Sequence, residues 1–144
     1  MHLEPVVGVL PAEFGQLLDE ARAEGHQFLD RLANDWASGA MRFDRPGEVL
    51  LAAYSDDDVL AGVGGLTVDP VIAEALRMRR FYVRVAFRRA GIGRAIAATL
   101  LENALKTVDI VMLNAAPDSY RFWESLGFVL DQQAGHTHVM RRPQ

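Results

Sequence analysis

The sequence predicts a mixed α/β fold: a mixed sheet with helices on both faces. Short runs rich in aromatic and β-branched residues read as strands. Three longer segments repeat apolar residues at helical spacing, and glycine or proline stands at most junctions between the two kinds of segment. The resulting order is β-α-α-β-β-β-α-β-α-β-β, over a chain of 144 residues that reads as one domain, 1–144.

Residues 6–10 read as a first strand, stopped by Pro11, which suits the first turn of a helix. Residues 12–24 place Phe14, Leu17, Leu18 and Ala21 on one face, and Gly25 ends that helix. Phe28, Leu29, Leu32 and Trp36 mark a second helix, and Arg45-Pro46-Gly47 a turn. Val49–Tyr54 and residues 59–67 read as strands of a hairpin. Gly62, Gly64 and Gly65 thin the second of these, which marks a bulge or a close backbone approach. Residues 69–74 form a loop around Pro70 before the strand that ends in Phe81-Tyr82-Val83-Arg84-Val85. Ile92, Ile96, Leu100 and Ala104 then recur at helical spacing. Ile110–Leu113 is the next strand, 118–126 a short helix capped by Gly127, and 128–130 with 136–140 a closing hairpin.

The segment Arg88-Arg89-Ala90-Gly91-Ile92-Gly93 lies between that apolar strand and the long helix. A glycine turn that opens a helix leaves backbone N–H groups without intrahelical partners. With the positive end of the helix dipole they form an anion site, suited to phosphate. Gly91 and Gly93 let a ligand approach the backbone closely. A P-loop pattern is absent, and Ile96 stands where a dinucleotide fingerprint wants glycine or alanine.

Charge points the same way. The net charge is −4, which argues against a nucleic-acid binder. Residues 77–94 nevertheless carry seven arginines and no acid, leaving eight basic against nineteen acidic residues elsewhere, a balance of −11. A basic block on an acidic chain suggests a small polyanionic ligand, and the planar guanidinium suits phosphate. The chain has no cysteine, which excludes disulfides and a thiol nucleophile. No apolar run reaches membrane-spanning length and no signal-peptide pattern is present, so a cytoplasmic location away from membranes is expected.

Two motifs carry a family resemblance. Arg88-x-x-Gly91-x-Gly93 follows Phe81-Tyr82-Val83, and Phe122-Trp123-Glu124-Ser125-Leu126-Gly127-Phe128 lies near the C-terminus. In this order and spacing the chain resembles the GCN5-related N-acetyltransferases (GNAT) over essentially its whole length. The resemblance implies a mostly antiparallel sheet and acetyl-coenzyme A as the acetyl donor. It implies that Phe81, Tyr82 and Val83 lie along the pantetheine arm and bond it through their backbone. Arg88, Arg89, Ala90, Gly91, Ile92, Gly93 and Arg94 would cradle the pyrophosphate, with Trp123 beside the coenzyme. The expected reaction is direct attack of a primary amine, on a small molecule or peptide, upon the thioester. The family leaves room for a homodimer.

The chain departs from the family pattern where an acid belongs. Trp123 replaces a common tyrosine, Ala116 a common asparagine, and Val85 a frequent proline. Indole is not a usable acid. Tyr120, one helical turn earlier, is the candidate acid, and Glu74 in the loop before the central strand the candidate base. Asp69 reads as a solvated loop residue. His136 and His138 read as two histidines on an edge strand, without a carboxylate partner, rather than a metal pair; no metal site is expected. Arg77, Arg79 and Arg80 favour an acceptor that carries a carboxylate. The missing acid and base keep open a coenzyme A-binding regulatory module on the same fold. A nucleic-acid or protein-interaction domain built on the arginine block is the third reading.

Overall fold

Strand β1 (His2–Pro5) lies at one edge of the sheet, where a proline's missing N–H costs no ladder bond. It pairs antiparallel with β2 (Val49–Tyr54). The strand expected at 6–10 is therefore displaced toward the N-terminus. Val6 still donates to the Leu50 carbonyl, but Gly8 takes a left-handed φ of 77° and Val7 and Val9 point into solvent. The computed structural model describes residues 1–144.

Helices α1 (Phe14–Ala23) and α2 (Phe28–Ser38) follow, and bury Phe14, Leu17, Ala21, Leu29, Leu32 and Trp36 as their apolar spacing requires. Strand β3 (Leu60–Val68) pairs antiparallel with β2 and with β4 (Leu76–Val83). Arg84 and Val85, expected in that strand, lie beyond its end, where Val85–Phe87 makes a single 3-10 turn. Helix α3 (Ile92–Ala104) crosses to β5 (Ile110–Leu113). A 3-10 turn at Pro117–Ser119 leads into α4 (Tyr120–Ser125), and β6 (Val129–Gln133) and β7 (His136–Arg141) close the chain.

The seven strands are ordered β1-β2-β3-β4-β5-β7-β6, and every pairing is antiparallel except β4 with β5. Two cores lie on opposite faces. One joins Leu51, Leu66, Leu76, Met78 and Val111 to α3, Trp123 and Phe128; the other joins Leu50, Ala52, Val63 and Tyr82 to α1 and α2. Helix α4 ends in a Schellman arrangement: Phe128 N–H donates to the Trp123 carbonyl and Gly127 N–H to that of Glu124, with Gly127 at φ 108°. No helix is long and apolar enough to cross a membrane.

Candidate active site

Strands β4 and β5 pair only at Leu76–Val111 and Arg77–Met112 and then part. From Met78 onward the β5 side of β4 is an open edge, with backbone groups that no strand satisfies. Alternation decides which residues supply them. Arg84 N–H bonds the Ala61 carbonyl on β3, so Val83, and Phe81 two residues before it, turn their backbone toward the gap. Tyr82 is the exception to the expected trio. Its backbone faces β3 opposite Val63, and its side chain is buried against α1 and α2.

At the mouth of the gap the chain coils through two left-handed residues, Arg89 (φ 67°) and Gly91 (φ 81°), into α3. No side chain caps the helix, so the N–H groups of Ile92, Gly93 and Arg94 lack intrahelical partners. A Cβ on Gly91 would meet nothing within 4 Å, and one on Gly93 only ordinary contacts at 3.6 Å with Phe122 and Val83. The space above both glycines is free for a ligand.

The arginines of this loop divide. Arg88 forms a two-pronged ion pair with Glu24, at 2.9 and 2.6 Å, and donates Nε–H to the Val83 carbonyl at 2.9 Å. Glu24 also accepts from the Tyr82 hydroxyl at 2.5 Å. The bonds from Arg88 and Tyr82 hold the Glu24 carboxyl down at about 2, while burial and that same bond push the Tyr82 phenol up. Arg84 pairs with Glu20 at 2.5 Å, and Arg94 donates to Ser125 Oγ at 2.6 Å. Within the loop expected to cradle phosphate, the Arg88 guanidinium is thus taken by Glu24, while Arg89 is exposed. Glu20 on α1 and Glu24 at its C-terminal cap sit four residues apart and face the arginine block, a spacing the sequence displays.

Trp123 is 5% exposed and packs edge-on to Phe81 and Phe122 (centroids 4.9 Å apart in each case) and to Phe128 at 5.6 Å. The indole is thus one aromatic ring behind the open edge at Phe81. Tyr120 is half-buried; its ring lies edge-on to His138 at 4.6 Å and its hydroxyl accepts from Gln132 at 3.3 Å. Glu74 is exposed in the loop before β4.

Two expectations are corrected. Asp69 is not solvated: it is 4% exposed, paired with Arg77 at 2.8 Å, and accepts from the Val71 and Ile72 N–H groups. Burial pushes its carboxyl up, but the bonds from Ile72, Arg77 and Val71 outweigh this and hold it below the ordinary carboxylate range. His136 and His138 are not edge-strand histidines either, because β7 runs between β5 and β6 and both rings are buried. Each has a partner: His138 Nε2 lies 2.8 Å from Glu124 and Nδ1 2.8 Å from the Thr137 hydroxyl, and His136 lies 3.4 Å from Asp131. Sequence distance hid Glu124, which α4 delivers from another element, whereas Asp131 lies only five residues before His136 across the β6–β7 turn.

The family model for the acetyltransferase (GNAT) domain matches residues 17–139. The chain belongs to the GNAT acetyltransferase family. No curated protein matches it at a significant level. Among solved structures, a protein from Exiguobacterium sp. 255-15 classed as an acetyltransferase superposes with a TM-score of 0.89 at 26% identity, over 97% of this chain and 92% of that one. The GNAT family N-acetyltransferase YhbS of Escherichia coli, solved in complex with CoA, gives 0.70 at 15% identity over 99% and 81% of the two chains. A GCN5-related N-acetyltransferase from Kribbella flavida gives 0.68 at 19% identity over 99% and 98%. For the last two the likeness is one of fold. This GNAT chain shares the mostly antiparallel, mixed sheet that its motifs predict.

Proposed function

We propose that residues 1–144 form one N-acetyltransferase domain that transfers acetyl from acetyl-CoA to a primary amine of a small molecule or peptide. The observation that carries this reading is the open edge of β4 beside the uncapped start of α3. The backbone of Phe81 and Val83 would receive the pantetheine amides as an added strand would. The N–H groups of residues 88–94, with Arg89, would hold the pyrophosphate. Acetyl-CoA supplies a thioester whose carbonyl the amine attacks directly. An N–H of the β4 edge would polarise that carbonyl, and the thiolate, with an ordinary thiol pKa near 8.5, leaves without a strong acid.

Calorimetry with acetyl-CoA is expected to show binding, with a higher melting temperature by mass action. Thiol release against an amine panel is expected to show turnover. No binding at millimolar acetyl-CoA overturns the assignment. Binding without turnover selects the coenzyme A-binding regulatory module, the reading favoured by the buried Trp123 and the absence of a tyrosine at that position.

A further inference from the structure

The central strand carries a bulge beside two arginines that have no partner. Val63 pairs with Tyr82 and Gly65 with Arg79, so Arg80 and Phe81 together face the single residue Gly64. Arg80 adopts φ 61°, a left-handed conformation that long side chains rarely take and that persists where surrounding structure enforces it. Arg79 and Arg80 are both half-buried, and neither forms an ion pair or a side-chain hydrogen bond. The Nε–H of Arg80 is withdrawn from solvent with no acceptor at all. Its neighbours are treated otherwise: Arg77 is matched by Asp69, Arg84 by Glu20 and Arg88 by Glu24.

The charges facing this pair come from β4, α2 and the loop before β4. Burial and the neighbouring arginines, Arg77 and Arg31 beside Arg79 and both Arg79 and Arg31 beside Arg80, push the two guanidinium groups down; Asp35 opposes at both, and Asp69 at Arg79. Asp69 is already bound to Arg77, which leaves Asp35 alone against Arg79, Arg80 and Arg31. Arg31 also lines a cleft of about 580 Å³ between α1 and α2, with His26, Asn34 and the ion pair of Arg22 with Asp30 (2.6 Å), and no hydrophobic side chain. Around Arg79, Arg80 and Arg31 themselves the balance stays positive, which repels a polycationic acceptor.

Building on the acetyltransferase reading, we propose that the acceptor amine carries an anionic group, a carboxylate or a phosphate, which Arg79, Arg80 and Arg31 receive. The anion supplies the acceptor oxygens that the Arg80 Nε–H lacks, and a planar guanidinium pair binds either oxyanion in two-pronged fashion.

The test is turnover of matched amines with acetyl-CoA. Phosphoethanolamine is set against ethanolamine, amino acids against their amides, and spermidine stands as the polycation. The anionic member of each pair is expected to win by at least about tenfold in kcat/KM, roughly 1.4 kcal/mol, and the pair that wins by most separates phosphate from carboxylate. Arg79→Gln and Arg80→Gln should raise KM for the anionic acceptor about tenfold while kcat and the Kd for acetyl-CoA hold, and Arg79→Lys should restore part of it. Arg31→Gln, exposed on α2, repeats the test without touching the sheet. Equal or reversed preference, or a loss confined to acetyl-CoA affinity, overturns the proposal. If no amine turns over, calorimetry of phosphoethanolamine and ethanolamine on the CoA-bound protein decides. Anionic preference there, lost in Arg31→Gln, keeps this inference while the transferase reading fails; no preference ends it.

Discussion

On the α3 face of β4, Leu76, Met78, Phe81 and Val83 join one apolar core, whereas on the α1–α2 face the same strand carries Arg77, Arg79 and Tyr82. The two sides of one strand thus offer a ligand different things. The α3 side offers apolar rings, an open backbone edge and a helix N-terminus. The other side offers guanidinium groups, of which Arg77 is neutralised and Arg79 is not. A run of arginine in sequence therefore does not define one phosphate site. Beside α3 the arginines at 84 and 88 brace α1, while Arg89 in the loop and Arg79 and Arg80 at the bulge have no acidic partner.

The largest effect tests the apolar side. Trp123→Ala removes a ring packed against three others and should destabilise the fold by about 3–5 kcal/mol. Chemical denaturation measures it. Trp123→Tyr restores a phenol at lower volume; its turnover should stay flat or fall, because a thiolate leaving group gives an acid little to do. A tenfold gain in turnover, about 1.4 kcal/mol of barrier, would show instead that the missing phenol limits the rate.

Gly93→Val should cost at least about a hundredfold in acetyl-CoA affinity, roughly 2.7 kcal/mol. Its Cβ meets only ordinary contacts within the chain, so the melting temperature of the free protein should hardly change. Gly91→Val is a less clean probe, since φ 81° strains any side chain there. Unchanged affinity in a folded Gly93→Val protein would remove the backbone cradle from the donor side.

Glu24 sharpens the contrast through pH. Its carboxyl lies near 2 against an ordinary 4.5, so its stabilisation is complete above about pH 4.5 and is lost as pH falls toward 2. The partner Arg88 side chain is 42% exposed, so solvent screening reduces the gain to about 1 kcal/mol. Stability measured from pH 5 to 2 should fall less steeply in Glu24→Gln than in the parent chain. Parallel curves would mean that the Glu24 cluster adds nothing to the acid response.

Element order was legible because strand runs, helical spacing and the glycine turn each carry local chemistry. The bulge was legible too, though in a subtler signal. Apolar residues of β4 alternate at 76 and 78 and resume at 81 and 83, a spacing of three where a regular strand demands two. Gly64 completes that pattern: a Cβ there would lie 2.7 Å from the Phe81 ring, so the glycine makes room for the ring that the phase shift delivers. What sequence spacing did not reveal was which polar groups become partners once the chain packs. Asp69 looks like any loop acid until Arg77 and two N–H groups close around it, and His138 meets Glu124 only through the placement of α4. The 6–10 strand failed for a local reason, because the ladder ends at Val6 and Gly8 turns the chain through a left-handed φ of 77°.

The smallest expected effect belongs to Arg88. A free guanidinium at a phosphate loop would lose a charge-assisted bond on truncation, worth about 1.5–3 kcal/mol. Here the side chain is held by Glu24 on one side and the Val83 carbonyl on the other. Arg88→Ala should therefore shift acetyl-CoA affinity less than about threefold, below 0.7 kcal/mol at 1.4 kcal/mol per decade. Its cost should fall on stability instead, and in a double-mutant cycle most of that cost should vanish once Glu24→Ala is already in place. Exposed Arg89 is the control within the same loop, since it has no such partner and its truncation should weaken coenzyme binding more. If Arg88→Ala instead loses affinity tenfold while Arg89→Ala does not, the ion pair with Glu24 must open on binding. The brace and the cradle would then be one device, and the division between the loop's arginines would depend on the ligand.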